Sequence, residues 1–486
     1  MNMLILLPIL LALVCAFIVF AFKTEKRNIK NIVIISLISL VFVCCVINCF
    51  IGDVSITVIN ITKNIDVTFR NDNLAKFFSV AISFVFLLVT IYTTEYIKHE
   101  KDENRFYIFF FSTLAMLIAL TYAENISTMY ICFELITLLS MPLVLHSLTT
   151  QSVRAAKKYL YYSIGGAFIA LFGMFYLFNY GGNLEFSTYG GLEIFKEGTF
   201  TGNKTLFHIC VLALIVGFSA KAGMFPLHGW LPTAHPVAPS PASAVLSGVI
   251  TKAGVICVIR IVYFVVGPDF IRNTFVQYTW LSLATFTVFM GSLLAMFEKV
   301  FKKRLAFSSV SQVSYVLVGL ALLNDATFIG ALIHVAAHML IKVCLFLFAG
   351  EVIYKHDYHR VEELRGIGQK MPYSTWAFTF ASIGLIGIPL TLGFVSKWNL
   401  ATGAVDSGVA VFNFLVPAVL LASAILTAGY LLPITLNGFF VKDEKYERNE
   451  CSKKMYIPML ILAGIVVVLG IYSEPLIKFI TTIVGK

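Results

Sequence analysis

The sequence predicts an all-α polytopic membrane protein: about fourteen transmembrane helices, some discontinuous, in a single membrane domain over residues 1–486. Three observations carry that expectation. Of 486 residues, 59% are hydrophobic and 13% charged, with a mean hydropathy of +0.87, far from the composition of a soluble globule. The apolar residues fall in runs of about 20, the length that crosses a hydrocarbon core of about 30 Å. The basic residues between those runs are segregated to alternate loops.

Windows of that length give segments near 3–22, 31–51, 74–97, 106–122, 126–147, 159–179, 207–235, 240–265, 275–297, 305–323, 328–354, 372–399, 408–437 and 455–477. The first has no basic stretch ahead of it and no A-x-A cleavage site. Lys23, Lys26, Arg27 and Lys30 follow it, so it reads as a retained helix rather than a signal peptide. Loops after odd-numbered segments hold 23 of the 36 Lys and Arg residues, loops after even-numbered segments and the C-terminus hold 7, and 6 lie within segments. Basic loops stay cytoplasmic, so the odd loops lie inside and both termini outside a multi-pass protein of the inner (plasma) membrane. An error of one helix would scramble this separation.

The net charge of +10 is therefore a topology signal. A nucleic-acid partner would need a basic soluble face, and the sequence offers none. The nine cysteines are dispersed or lie on apolar helices, as Cys44, Cys45 and Cys49 do. With no CxxC pair and no His/Cys ligand spacing, neither a metal site nor a disulfide framework is expected.

Two of the segments should be broken. Residues 207–235 would extend about 43 Å as one helix, yet five of the chain's 14 prolines (Pro226, Pro232, Pro236, Pro239, Pro241) fall in or just beyond them. Proline removes a donor and clashes with the preceding turn, so the helix should end near Gly223 to Pro226. The segment from Met371 to Leu400 repeats the theme, with Gly384, Gly387, Pro389 and Gly393 ahead of Lys397. Interrupted hydrophobic segments in two halves of a membrane protein point to an inverted repeat and its ion site. The plainer reading is a pair of proline kinks that only shape packing; a lysine on each segment argues against it.

Several ionisable residues lie inside these runs: Glu134, Lys221, Lys252, His334, His338, Lys342 and Lys397, with Lys76 as a weaker case. Each costs roughly 2.5–3.5 kcal/mol at mid-membrane on insertion scales. Such a set means a water-filled path or extensive pairing, and both readings concern charge handling. His334, His338 and Lys342 recur at i, i+4 and i+8, which places them along one helix face as a proton relay rather than as isolated core histidines. Ser308, Ser309, Ser311, Gln312 and Ser314 of FSSVSQVSYVLVG either hold water for that relay or fasten helices together. Arg260 is expected to anchor near the membrane edge, Lys76 to snorkel, Glu351 to cap the cytoplasmic end of the eleventh segment, and Glu124 either to end a short outside loop or to serve function.

These stretches resemble a known family. FELITLLSMPLVLHS around Glu134, KAGMFPLHGWLPTAHPVAPSPASAVLSGVITKAG with Lys221 and Lys252, IHVAAHMLIKVCLFLFAG with His338 and Lys342, and GIPLTLGFVSKWNL with Lys397 are similar to the antiporter-like subunits of the complex I superfamily. That group includes the D-type membrane chain of Mrp cation/proton antiporters, the M and N chains of NADH:quinone oxidoreductase, and subunits of group 4 membrane-bound hydrogenases. The resemblance covers roughly residues 70–440. It implies two inverted five-helix repeats, 106–265 (segments 4–8) and 275–437 (segments 9–13). It also implies a charged axis through Glu134, Lys221, Lys252 and Lys397 along which protons move. Lys397 matches the Mrp D and N-chain types, whereas SMPLVLHS looks closer to M-chain and hydrogenase versions, so the parent complex stays open. The sequence ends soon after segment fourteen, so the long lateral helix of the largest members is not expected.

The resulting expectation is a proton-translocating antiporter-like subunit of a multi-subunit membrane complex. Glu134 would modulate Lys221, Lys252 would be the central relay, His334, His338 and Lys342 the second-half relay, and Lys397 the exit carrier. Partners would be other membrane subunits, the lipid bilayer, and protons with Na+ as a candidate counter-ion. No cofactor is expected, since flavin, haem and Gly-rich nucleotide signatures are missing from the sequence. A secondary cation/proton transporter acting alone is the alternative, for which broken helices are equally apt.

Overall fold

The computed structural model describes all residues except 1, 22–26, 63–64, 183, 197–198, 442–446 and 486. Lys23, Lys26, Lys63, Lys442, Lys445 and Lys486 of the charge count thus lie outside the described residues. The chain runs through α1 (Leu7–Ala21), α2 (Arg27–Cys49), a hairpin of β1 (Ser55–Thr62) and β2 (Ile65–Arg70), α3 (Asn73–Tyr96), α4 (Glu103–Tyr122), α5 (Ile126–Val144) and α6 (Thr150–Gly181). It continues through α7 (Lys204–Ala222), α8 (Leu231–Val237), a long helix α9 (Ser240–Val266), α10 (Phe275–Phe297), α11 (Phe301–Ala321) and α12 (Asp325–His356). The last elements are α13 (Pro372–Ile386), α14 (Leu392–Val405), α15 (Phe412–Phe440), α16 (Lys453–Ile471) and the short α17 (Glu474–Thr481).

Among the described residues, 13 helices are long and apolar enough to cross a membrane. The twelfth predicted segment is missing from that number because it is split. Its halves α13 and α14 have 15 and 14 residues, each short of a full span, and together they make the fourteenth crossing. The other expected break is also present: α7 stops at Ala222, and α8 resumes only at Leu231. Both breaks end on a glycine with positive φ, Gly223 (+86°) and Gly387 (+89°), which closes the last turn where an L side chain would be strained. At the first break the indole of Trp230 donates to Ala220 O at 3.0 Å, where Gly223 N donates at 3.2 Å in place of the missing i+4 partner.

Layering follows hydrophobicity. α9 and α12 are buried over the whole of their most apolar windows, as expected of helices apolar all round. α1, α2, α6, α15 and α16 are the least buried of the long helices, with Phe17 of α1 67% exposed on a face suited to lipid. α9 is not a uniform α-helix. It carries π turns at Leu246–Ile250 and Arg260–Val266, on either side of Lys252.

The antiparallel hairpin of β1 and β2 fills the stretch between the second and third predicted segments, where no regular element was expected. It rests on the start of α5, where Thr68 N donates to Thr128 Oγ1 at 3.0 Å and Glu124 N to Thr68 O at 3.0 Å. Glu124, in the short loop between α4 and α5, accepts from Ser55 of the same hairpin and so fastens that loop to it.

Candidate functional site

Lys221 occupies the last turn of α7, where the open carbonyl end of a helix favours a cation. It is fully buried and reaches α5, where Nζ donates to Phe133 O at 3.0 Å and to the Thr137 hydroxyl. The amine also lies 4.2 Å from the centroid of the Phe133 ring. Glu134 is the next residue of α5, half-buried, and its Oε1 has no hydrogen-bond partner. No ion pair within 4.0 Å joins it to Lys221. Glu134 is thus a near neighbour of Lys221 rather than its contact partner, and the Phe133 carbonyl and Thr137 hydroxyl hold the amine.

Lys252 lies deep in the molecule and is 1% exposed. Its amine donates to Ser247 O at 2.9 Å, a carbonyl of the first π turn, and to Thr251 Oγ1 at 3.3 Å. Its third contact is Nδ1 of His338 on α12. When the Lys252 amine is charged it must donate, so Nδ1 is unprotonated and the ring proton of neutral His338 sits on Nε2; when the amine is neutral it can accept from Nδ1–H instead. His334 follows one turn away, with ring centroids 6.3 Å apart. Its Nδ1 meets Ser396 Oγ at 2.8 Å, and Tyr315 stacks on it at 5.3 Å. Ser396 precedes Lys397 on α14, and the Lys397 amine lies 4.9 Å above the same Tyr315 ring. Lys397 Nζ donates to Leu385 O (2.6 Å) and Ile386 O (3.0 Å), the open carbonyls where α13 breaks.

Lys342 leaves this line. Its amine turns to α11, donating to Leu305 O at 3.1 Å and Ser308 Oγ at 2.6 Å, and Ser308 accepts from Tyr430 at 2.8 Å. The expected single face fails for a geometric reason. Four residues of α-helix overshoot one turn by about 40°, so i+8 lies about 80° around from i. His334, His338 and Lys342 consequently address three different helices: α14, α9 and α11.

The structure thus brings Lys252, His338, His334 and Lys397 into one chain of contacts through Ser396 and Tyr315. Lys342 forms a branch. Glu134 and Lys221 form a separate stretch, linked to the rest by helix packing: a Cβ on Gly254 of α9 would fall 2.4 Å from Phe218 O of α7. Among the described residues, no carboxylate lies within 4.0 Å of any of these four lysines.

Sequence reasoning did not single out Thr137, Tyr315, Ser396 or Tyr430. Thr137 and Ser396 stand in the stretches already marked by Glu134 and Lys397, and Tyr315 follows the serine-rich run, so proximity to those motifs was the available signal. His235 of α8 was also missed; it is fully buried, neither ring nitrogen has a partner, and it stacks on Phe346 at 4.6 Å. Three peripheral expectations change. Arg260 is 1% exposed and paired with Asp72, the N-cap of α3. Glu351 lies inside α12 rather than capping it, buried with both carboxylate oxygens unpartnered. Lys76 is buried instead of snorkelling.

Comparisons with known proteins bear on the family and the fold. Residues 123–422 match the family described as NADH:quinone oxidoreductase/Mrp antiporter, transmembrane, and residues 59–107 match NADH-ubiquinone oxidoreductase (complex I), chain 5 N-terminus. The chain is 31% identical over 426 residues to NADH-quinone oxidoreductase subunit N of Desulforudis audaxviator, covering 84% of this chain and 82% of that one. It is 27% identical over 410 residues to the D-type membrane chain of the Na(+)/H(+) antiporter of Alkalihalophilus pseudofirmus, covering 84% and 81%. A chain in the structure of the Mrp complex from Dietzia shares the fold, with a TM-score of 0.87 at 19% identity over 100% of this chain and 97% of that one. The first family match contains all seven candidate residues, and the chain belongs to that family, the antiporter-like membrane subunits of the complex I superfamily.

Proposed function

We propose that the chain is a proton-translocating, antiporter-like subunit of a multi-subunit membrane complex, and that Glu134, Lys221, Lys252, His338, His334 and Lys397, with Lys342 as a branch, carry the protons. The observation that supports this most is the Lys252–His338–His334–Ser396–Lys397 chain, largely buried, with its amines held by carbonyls, hydroxyls and an imidazole. Two cations about 3 Å apart at an effective dielectric of about 20 repel by about 5 kcal/mol. Lys252 and His338 therefore hold at most one positive charge between them, and a second proton arriving on one displaces the first from the other. His334 passes the charge toward Lys397, where Ser396 and Tyr315 close the remaining gap. Relatives named as parts of a quinone oxidoreductase and of an antiporter support a place beside other membrane subunits, with the driving force elsewhere in the complex.

Two helices of 32 residues, α6 and α12, are each followed by a broken segment. This recurrence supports the inverted repeats 106–265 and 275–437. The segregation of basic loops supports odd-numbered loops on the cytoplasmic side of a cell's inner membrane. The test is the assembled complex in proteoliposomes, with pH-gradient formation followed by an entrapped dye. Alanine at Lys221 or His338 should abolish flux while the complex still assembles. Wild-type rates in both variants would overturn the proposal.

A further inference from the structure

Lys76 lies one turn inside α3 and plays no part in the chain of contacts above. It is 8% exposed, yet among the described residues its amine has neither a hydrogen bond nor an ion pair. Two cavities meet at this residue. One, about 400 Å³, is apolar and lies between α2, α3, α12, α16 and α17, with Phe42, Phe77, Phe84, Met339, Leu469 and Phe479 on its walls. The other, about 520 Å³, is polar and is lined by Asp53, Arg70, Asp72, Asn73 and Thr482. Its charges are nearly cancelled: Arg70 holds Asp53 at 2.6 Å, and Asp72 is paired with Arg260. Lys76 is the charge left over.

We propose that this pair of cavities binds an anionic diacyl phospholipid, with an acyl chain in the apolar cavity, the phosphate at Lys76 Nζ and the headgroup in the polar cavity. The amphipathic shape calls for a ligand with a long apolar part and a polar head, and the uncompensated amine calls for net negative charge. A free phosphate would leave the apolar cavity unused. A zwitterionic headgroup would bring its own cation to an amine that already lacks an anion. The acyl chain would rest on Ala336, Met339 and Leu340 of α12, the helix whose other faces carry His334 and His338. The lipid site stands whether or not that helix conducts protons.

The test is native mass spectrometry of the purified complex, equilibrated in turn with phosphatidylglycerol and phosphatidylcholine. Wild type should retain phosphatidylglycerol about fivefold better, the worth of one lysine–lipid charge contact. Lys76→Gln should erase that preference and Lys76→Arg should keep it, while Ala81→Trp, which fills the apolar cavity, should lose both lipids. Equal retention of the two lipids by wild type, an unchanged preference in Lys76→Gln, displacement of the lipid by millimolar inorganic phosphate, or a helix of a neighbouring membrane protein cross-linked into the groove would each overturn the proposal.

Discussion

Replacing Lys252 by arginine separates holding a charge from passing one on. The guanidinium keeps the positive charge and finds the same acceptors, Ser247 O, Thr251 Oγ1 and His338 Nδ1. It does not release its proton under working conditions. In water the two groups differ by at least two pKa units and by about three on the higher arginine values, so emptying the guanidinium costs about 3–5 kcal/mol more than emptying the amine. A flux that requires a neutral group at position 252 should then fall by about a hundred- to a thousandfold, into the leak of the vesicles. Lys252→Gln, which can donate to Ser247 O but carries no charge, should be equally inactive by the opposite route. The assay is dye-reported proton flux in proteoliposomes, normalised to assembled complex on native gels. If Lys252→Arg assembles and retains more than about a tenth of the wild-type rate, Lys252 acts as a fixed charge and the relay through it is wrong.

Thr137→Val removes a hydroxyl acceptor from the buried Lys221 amine, and a hydrogen bond to a charged group contributes about 1.5–3 kcal/mol; thermal melting of the complex should fall and flux should slow, with Thr137→Ser recovering both. Ser396→Ala deletes the contact between His334 and α14, so flux should drop without a change in assembly, whereas Ser396→Thr should preserve it. The hairpin should respond to acid at Asp53, whose carboxyl is held below the ordinary carboxylate range by hydrogen bonds from Arg70 and, less strongly, by the charges of Arg70, Lys76 and Arg260. Because the folded value is the lower one, this contribution is full above about pH 4 and disappears as pH falls further. Protection of the amides of 53–62 and 65–70, taken relative to their intrinsic exchange rates at each pH, should fall below that pH in wild type, and already at neutral pH in Asp53→Asn.

Much of this architecture was legible because lipid makes polar residues conspicuous. A lysine in an apolar run contrasts with everything around it, so Lys221, Lys252, Lys342 and Lys397 stood out without any structure. Both helix breaks were equally visible, since Pro226 and Pro389 each follow a glycine within three residues, a pairing that favours ending a helix. The hairpin was hidden only by the window length: Ser55–Arg70 is rich in Ile, Val and Thr in near alternation, a strand signal too short to register against spans of 20 residues. What remained illegible is rotational. Spacing shows that His334, His338 and Lys342 are neighbours, but which helix each meets depends on crossing angles that a single sequence does not encode locally. Tyr315 and Ser396 carry no such contrast among other hydroxyl residues, and their role appears only when α11, α12 and α14 are packed together.

The partners chosen by the four amines bear on why lysine serves here. Each donates to at least one main-chain carbonyl: Phe133 for Lys221, Ser247 for Lys252, Leu305 for Lys342, and Leu385 with Ile386 for Lys397. A carboxylate at 4 Å would add about 4 kcal/mol at an effective dielectric of about 20, equivalent to about three pKa units, and would lock a proton onto the amine about a thousandfold more firmly. Carbonyls satisfy the donors without supplying that lock, and they keep the amine in place whether it is charged or neutral. Glu134 differs by position rather than by contact: it neighbours the Phe133 carbonyl that holds Lys221, yet stays beyond 4.0 Å from the amine. It is the one carboxylate among the seven proposed path residues, and its Oε1 has no hydrogen-bond partner to hold it in place. On the proposed reading, gating belongs at Glu134 and Lys221, while the carbonyl-held lysines beyond them conduct.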